Sequence, residues 1–332
     1  MAVSDTAQND DTALLSVQGV VKHFRGGGQF FGGSAPVRAV NGVDMSLSLG
    51  EVFCVVGESG CGKSTLARLV AGLISPTAGK IYFDGKRMDN LSSAQRRPFR
   101  RAMQMIFQNP QASLNPRMTV RQTLTEALRF HFRGLSRAER EERAAATLTA
   151  TGMSADALAR YPHEFSGGQR QRLSIARALI VEPQFIIADE PIAALDVSVR
   201  AQILNLLADL RDARGLAYLF ITHDLSVVEH FAHRVAVMYL GAVCEEAERD
   251  ALFSRPRHPY TQILLQSAPR IGRPLRPAKL PGEPPTPLSI PSGCAFHPRC
   301  PFASARCKTE RPLLRPTADG MTACHAVEEG RI

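Results

Sequence analysis

The sequence predicts an α/β fold: a core of buried strands alternating with helices, an antiparallel β layer ahead of it, an α-helical block inserted in it, and a small cysteine-containing extension after it. Three observations predict this. Glu51-Val52-Phe53-Cys54-Val55-Val56 is a short, almost continuous apolar run, as a strand buried on both faces should be. It leads through a glycine-rich turn into Leu66-Ala67-Arg68-Leu69-Val70-Ala71-Gly72-Leu73, whose apolar residues recur at helical spacing. Two later runs, Phe185-Ile186-Ile187-Ala188 and Ala217-Tyr218-Leu219-Phe220-Ile221, read as further core strands with a helix between them.

The turn is the most informative stretch. Gly57-Glu58-Ser59-Gly60-Cys61-Gly62-Lys63-Ser64-Thr65 fits the pattern of a glycine, four residues, then Gly-Lys-Ser/Thr, between a strand and a helix. Such glycines let several backbone N–H groups point inward at anionic oxygens, reinforced by the helix N-terminus. Lys63 is placed to reach the β- and γ-phosphates of a nucleoside triphosphate, and the Ser64 hydroxyl to ligate Mg²⁺. The core is therefore expected to be that of a P-loop NTPase.

The remaining elements fall around it. Residues 1–13 are polar and acidic and read as a disordered leader. Leu15-Ser16-Val17-Gln18-Gly19-Val20 and Val37 to Leu49 alternate like strands and form the early antiparallel layer. Between them a glycine-rich stretch from Arg25 to Ser34, with Phe30 and Phe31, reads as an exposed loop. Gly79 to Gly85 is a strand ending in an Asp-Gly turn, and Met103 to Gln108 is a buried strand that stops at Asn109-Pro110. Thr119 to about Gly152 is helical in pattern, with Leu124, Leu128 and Leu148 on apolar faces, so a helical subdomain is expected over about 109–183. Proline enrichment over 256–301 divides a nucleotide-binding domain at 14–255 from a linker and extension at 256–332 that has no long helices.

Composition narrows the function. The chain has 332 residues, 44% hydrophobic and 21% charged, which is ordinary for a globular protein. Its formal net charge is +9, but the cluster from Arg137 to Arg143 alternates with Glu139, Glu141 and Glu142 and reads as a solvated helix face. No basic stripe is interleaved with aromatic residues, which argues against nucleic acid as a partner. No apolar run is long enough to span a bilayer, and the N-terminus lacks a signal-peptide core. A cytoplasmic protein is expected, in which disulfides are rare.

Chemistry concentrates at strand ends. Asp189 and Glu190 follow an apolar strand, so Asp189 is placed to hold Mg²⁺ and Glu190 to polarise a water against the γ-phosphate. Thr222-His223-Asp224 repeats the arrangement one strand later, with His223 at the same sheet edge. Gln108 is a third strand-end group, placed to touch Mg²⁺ or the attacking water. Phe165-Ser166-Gly167-Gly168-Gln169-Arg170-Gln171-Arg172 supplies a good N-cap, two glycines and then a helix, which makes a second anion-binding helix start.

Together the phosphate loop, Gln108, the Ser166-Gly167-Gly168-Gln169 signature, Asp189-Glu190, Ala194-Leu195-Asp196 and His223 resemble the ABC ATPase family, in that family's order, over roughly residues 14–250. The resemblance implies a head-to-tail dimer that sandwiches two ATP molecules. Each ATP then lies between the phosphate loop of one subunit and the signature of the other, with Ser166 and Gly168 at the γ-phosphate. It also implies that Phe24 stacks on adenine and that Asp196 links the two sites. Ala193 stands where the family usually has Ser, which removes one hydroxyl from the dimer seam. Two rivals sit poorly with the sequence: a DNA-acting ABC ATPase needs a long coiled-coil or zinc insertion, and a translation-type ABC protein needs two cassettes.

Of seven cysteines, Cys54 and Cys244 read as core residues and Cys61 as a variable loop position. Cys294, Cys300, Cys307 and Cys324 cluster instead, separated by five, six and sixteen residues. Four such thiolates suit structural zinc or an iron–sulfur cluster, although the Cys-x₂-Cys of zinc ribbons is missing. This tail resembles that of dipeptide and oligopeptide importer ATPases of the second-subunit type. Lys22-His23-Phe24, Phe107-Gln108-Asn109-Pro110, Ala112 to Arg117 and His258-Pro259-Tyr260-Thr261 agree with it. The resemblance implies a [4Fe–4S] cluster on the four cysteines, two permease subunits and a second, non-identical ATPase as partners, and a solute-binding protein outside the membrane. It places the chain on the cytoplasmic face of the inner membrane, importing peptides or, as in relatives with the same tail, nickel chelates or glutathione.

Overall fold

The computed structural model describes residues 13–24, 36–267 and 285–332. The expected leader, the Phe30-Phe31 loop and much of the proline-rich linker lie outside the described residues. Among the described residues twelve strands form two sheets. In chain order they are β1 (Leu15–Phe24), β2 (Val37–Leu47), β3 (Val52–Val56), β4 (Ala78–Phe83), β5 (Lys86–Arg87), β6 (Met103–Ile106), β7 (Phe185–Asp189), β8 (Ala217–Ile221), β9 (Arg234–Tyr239), β10 (Ala242–Glu248), β11 (Arg315–Thr317) and β12 (Gly320–Thr322).

The first sheet is antiparallel, in the order β2-β1-β4-β5. The second has eight strands, in the order β11-β12-β10-β9-β3-β8-β7-β6. Its centre is parallel: β3 pairs with β8 and β9, and β7 with β6 and β8. Parallel neighbours need helical crossovers, so the C-terminal ends of β3, β6, β7 and β8 open on one edge, where an open α/β sheet binds its ligand. All five residues of β3, β7 and β8 are buried, as their apolar runs require.

Ten helices matter here: α1 (Lys63–Val70), α2 (Arg97–Ala102), α3 (Pro110–Ser113), α4 (Val120–His131), α5 (Arg137–Ala150), α6 (Gly167–Leu179), α7 (Val197–Arg214), α8 (Leu225–Phe231), α9 (Arg249–Ser254) and α10 (Pro259–Ser267). One core layer lies between the two sheets and includes Val17, Val43, Phe53, Leu66, Leu69 and Ile187. The opposite face of the large sheet packs on α7 and α8 through Ile203, Leu207, Tyr218, Phe220 and Phe231. A third core joins α4, α5 and α6 through Leu124, Leu128, Ala144, Leu148 and Leu173. α6 faces both ways, because Ile175, Ala178 and Leu179 belong to the second of these cores.

One expectation changes. The helical stretch from Thr119 is two helices, since Phe132 to Leu135 leaves helical geometry and Ser136 begins α5 with a capping box to Glu139. The extension joins the main sheet, where β12 pairs antiparallel with β10. It also follows a nine-residue helix, α10, at the start of the expected linker.

Candidate functional site

The phosphate loop joins β3 to α1, and its shape is set by backbone proximity. A Cβ on Gly57 would stand 2.2 Å from the Met238 carbonyl oxygen, and one on Gly62 2.1 Å from that of Ala39. Both residues also have positive φ, so no other residue fits either position. Lys63, only 5% exposed, donates to the loop's own carbonyls at Gly57 (2.7 Å) and Glu58 (3.0 Å). Its ammonium thus lies inside the curve of Gly57, Glu58, Ser59, Gly60, Cys61 and Gly62, ahead of Ser64 and Thr65. Cys61 is buried, with its thiol 3.8 Å from Lys63 Nζ.

The β7 end comes to this loop. Ser64 Oγ donates to Asp189 Oδ1 at 2.9 Å. Burial raises the Asp189 carboxyl above its usual range, against the pull of Ser64, Arg68 and Lys63. A hydroxyl and a carboxylate in contact beside a phosphate loop are the hard oxygen donors that suit Mg²⁺.

Glu190 follows, with a φ of 47° that few non-glycine residues adopt, its N–H donating to the Ile221 carbonyl at 2.9 Å. Two side chains hold its carboxylate: Gln108 Nε2 donates to Oε2 at 2.9 Å, and His223 Nδ1 lies 3.3 Å from Oε1. The ends of β6, β7 and β8 therefore meet on one carboxylate at the sheet edge that carries the phosphate loop.

The signature segment is placed elsewhere. Ser166 caps α6 with a capping box: its Oγ accepts from the Gln169 N–H at 3.4 Å, and the Gln169 side chain accepts from the Ser166 N–H at 3.0 Å. Gly167 and Gly168 open the helix. A Cβ on Gly168 would lie 2.6 Å from a methyl of Val199 in α7, so Val199 would have to shift for a larger residue to fit there. Among the described residues no hydrogen bond or ion pair joins this segment to the phosphate loop. Asp196 and Ala194 are exposed at the start of α7, as is Val197 at 81%. Phe24 ends β1 at 39% exposure, with Lys22 Nζ over its ring at 5.1 Å.

Comparison with known proteins agrees with this geometry. Residues 40–193 match the ABC transporter family, and residues 244–307 the C-terminal region of oligopeptide/dipeptide transporters. The Di/tripeptide transport ATP-binding protein DppF of Pseudomonas aeruginosa is 46% identical over 95% of this chain and 98% of its own. The Dipeptide transport ATP-binding protein DppF of Haemophilus influenzae is 45% identical over 96% and 98%. The chain belongs to the ABC transporter ATPases. Solved cassettes of the family share the fold: the dimeric post-hydrolysis cassette MJ0796 with ADP and Pi superimposes with a TM-score of 0.64 at 30% identity, over 71% of this chain and 98% of that one. The cassette cbiO1 of Clostridium perfringens gives 0.63 at 28% identity, over 74% and 92%. As an ABC ATPase of the peptide-transporter type the protein works with membrane permeases, and no helix among its described residues is long and apolar enough to cross a membrane itself.

In this ABC ATPase the four C-terminal cysteines gather in the extension. Each of the six thiol pairs lies within electrostatic reach. Burial pushes Cys294 up to about 11 and raises Cys300 and Cys324 as well. Backbone N–H groups point at the sulfurs: Phe296 at Cys294, Phe302 at Cys300, and Ala326 and Val327 at Cys324. Among the described residues no group of three or more His, Cys, Asp or Glu is disposed to hold a metal ion.

Sequence reasoning missed one set of neighbours of the phosphate loop. Arg299 pairs with Glu58, Tyr260 OH accepts from the Glu58 N–H at 2.9 Å, and Tyr239 OH lies 3.5 Å from Arg299. No spacing in the sequence joins residues 58 and 299. Only the His258-Pro259-Tyr260-Thr261 stretch hinted that the extension carried something besides cysteines.

Proposed function

We propose that this protein is the ATP-hydrolysing subunit that powers import of di- and oligopeptides across the cytoplasmic membrane, working from the cytoplasmic face through two permease subunits. The observation that carries this reading is the meeting of Gln108, Glu190 and His223 beside the phosphate loop, in a chain whose C-terminal region matches that of peptide transporters. ATP binds with its phosphates against the loop N–H groups and Lys63. Ser64, Asp189 and Gln108 would hold Mg²⁺, which when bound would neutralise phosphate charge. Glu190 accepts a proton from the attacking water, and His223 and Gln108 fix its carboxylate toward the γ-phosphate. Phe24 stacks on adenine.

The second half of each site comes from a partner ATPase, a related chain arranged head to tail. Its Ser-Gly-Gly-Gln segment closes over the γ-phosphate, as Ser166, Gly167, Gly168 and Gln169 of this chain close over the partner's nucleotide, with Asp196 at the seam. ATP favours the closed dimer because it is bound by both halves only there, and hydrolysis removes that differential affinity. A solute-binding protein delivers the peptide on the far side. Uptake of labelled dipeptide in cells lacking the chromosomal gene tests the reading. The intact chain should restore uptake and the Glu190→Gln variant should not; ATP turnover without peptide uptake in the complemented cells would overturn it.

The four extension thiols support a [4Fe–4S] cluster better than zinc. The Cys-x₂-Cys of zinc ribbons is missing from their spacing, and N–H groups beside the sulfurs suit the thiolates of a cluster. Protein purified without oxygen should be brown with about four irons per chain; stoichiometric zinc without iron would overturn this assignment.

A further inference from the structure

Glu58 is the second residue of the phosphate loop, and the C-terminal extension grips it twice. Arg299 Nη1 lies 3.1 Å from Glu58 Oε2 and 3.3 Å from Oε1, and Nη2 lies 3.3 Å from Oε1, a forked pair. Arg299 is 5% exposed, so its guanidinium is shielded from water, while the Glu58 carboxylate is partly open to solvent. The Glu58 N–H is held by Tyr260, a fully buried residue whose ring packs 4.7 Å from Tyr239 and 5.4 Å from Phe296. The Glu58 carbonyl in turn accepts from Lys63. Any movement of Glu58 is therefore passed to the ammonium that meets the phosphates.

Arg299 itself belongs to the short turn between two of the clustered cysteines. The His297 N–H donates to the Cys294 carbonyl at 2.9 Å, the Arg299 N–H to that of Phe296 at 3.0 Å, and the Cys300 N–H to that of His297 at 3.3 Å. The Cys294 N–H donates across to Cys307 at 2.8 Å. Whatever fixes the Cys294 and Cys300 thiols fixes the guanidinium between them.

We propose that Arg299 is a positioning residue for the nucleotide site, through which the thiol-bearing turn of the extension sets the shape of the phosphate loop. It touches neither nucleotide nor metal. Its effect is carried by Glu58 to Lys63, so loss of order at the cysteines loosens ATP binding in a chain whose loop sequence is intact. The inference rests on the nucleotide reading of the loop.

The test is MgATP affinity of the full-length protein, measured by titration calorimetry on the parent, Glu58→Gln, Arg299→Gln, the double variant, and Cys300→Ser alone and with Glu58→Gln. Each single change should weaken MgATP by about five- to fiftyfold, in the range of ordinary coupling between sites, and the double variants should be no weaker than their worse single. Thermal melting of the same samples separates this from loss of fold; should Arg299→Gln unfold, the Glu58→Gln and Cys300→Ser pair decides alone. Unchanged affinity in Glu58→Gln, or losses that multiply in the double variants, would overturn the proposal. Failure of the parent to bind MgATP would instead sink the nucleotide reading beneath it.

Discussion

The phosphate loop and the signature segment are both helix starts built to receive an anion, yet the chain treats them oppositely. Around the loop every functional group has an internal neighbour: Lys63 on loop carbonyls, Ser64 on Asp189, Glu190 between Gln108 and His223. At the signature, Ser166 and Gln169 satisfy only each other, and the surface beside them is exposed. The first region is finished within one polypeptide, and the second is a prepared surface. What differs is the origin of order. The loop is moulded by contact with β2 and β9, whereas the signature is ordered by local capping and helix packing alone.

Changes at the two regions should therefore separate binding from turnover. The largest effect is expected at Glu190→Gln: MgATP binding kept, hydrolysis in the assembled transporter reduced roughly 10²- to 10⁴-fold. Normal turnover would remove Glu190 as the base. Next comes Ser166→Asn, which retains an N-cap of similar quality. The isolated chain should bind MgATP as before, while the assembled ATPase slows at least about tenfold, as for loss of one transition-state contact. Weakened binding in the isolated chain would erase the contrast between the regions.

A third prediction concerns stability. Burial pushes the His258 imidazole down to about 4, with Nδ1 accepting from the Tyr260 N–H at 3.0 Å. Between that value and the ordinary histidine range the unfolded chain binds a proton that the folded chain does not, so stability falls as pH falls. The loss between pH 7 and pH 5 should be about 2 kcal/mol. Urea melts at both pH values should show a smaller difference for His258→Asn, which keeps an acceptor there without a titrating ring; an equal difference would exclude His258 as the source. The smallest effect is at Phe24. Phe24→Ala should raise the KM for ATP by roughly two- to tenfold, as loss of one aromatic stacking contact does, and Phe24→Trp should not.

The fold was legible wherever burial is uniform. The runs of β3, β7 and β8 are apolar because both faces are covered, and the strand-end polar residues follow from the strands. β10 was not legible. Its Glu245 and Glu246 are buried, Glu245 accepting from the Arg257 and His258 N–H groups and Glu246 paired with Arg234, so a buried strand reads as a polar stretch. The role of Gly168 was half legible: the glycine showed, but its clash partner Val199 lies thirty-one positions on, in another helix. The Glu58–Arg299 pair was not legible at all, since it spans 241 positions and each residue alone is ordinary.

One consequence follows from the β11–β12 hairpin. Glu245 to Ala247 of β10 present their free hydrogen-bonding side to Thr322, Met321 and Gly320, and Arg257 reaches Asp319 at the hairpin tip. Without the hairpin, β10 would be the rim of the sheet, with bare N–H and C=O groups ready to recruit a strand from another molecule. The last part of the chain is thus also a guard on solubility. A protein cut back to the cassette alone should self-associate, in addition to losing the contacts of Arg299 and Tyr260 to the phosphate loop.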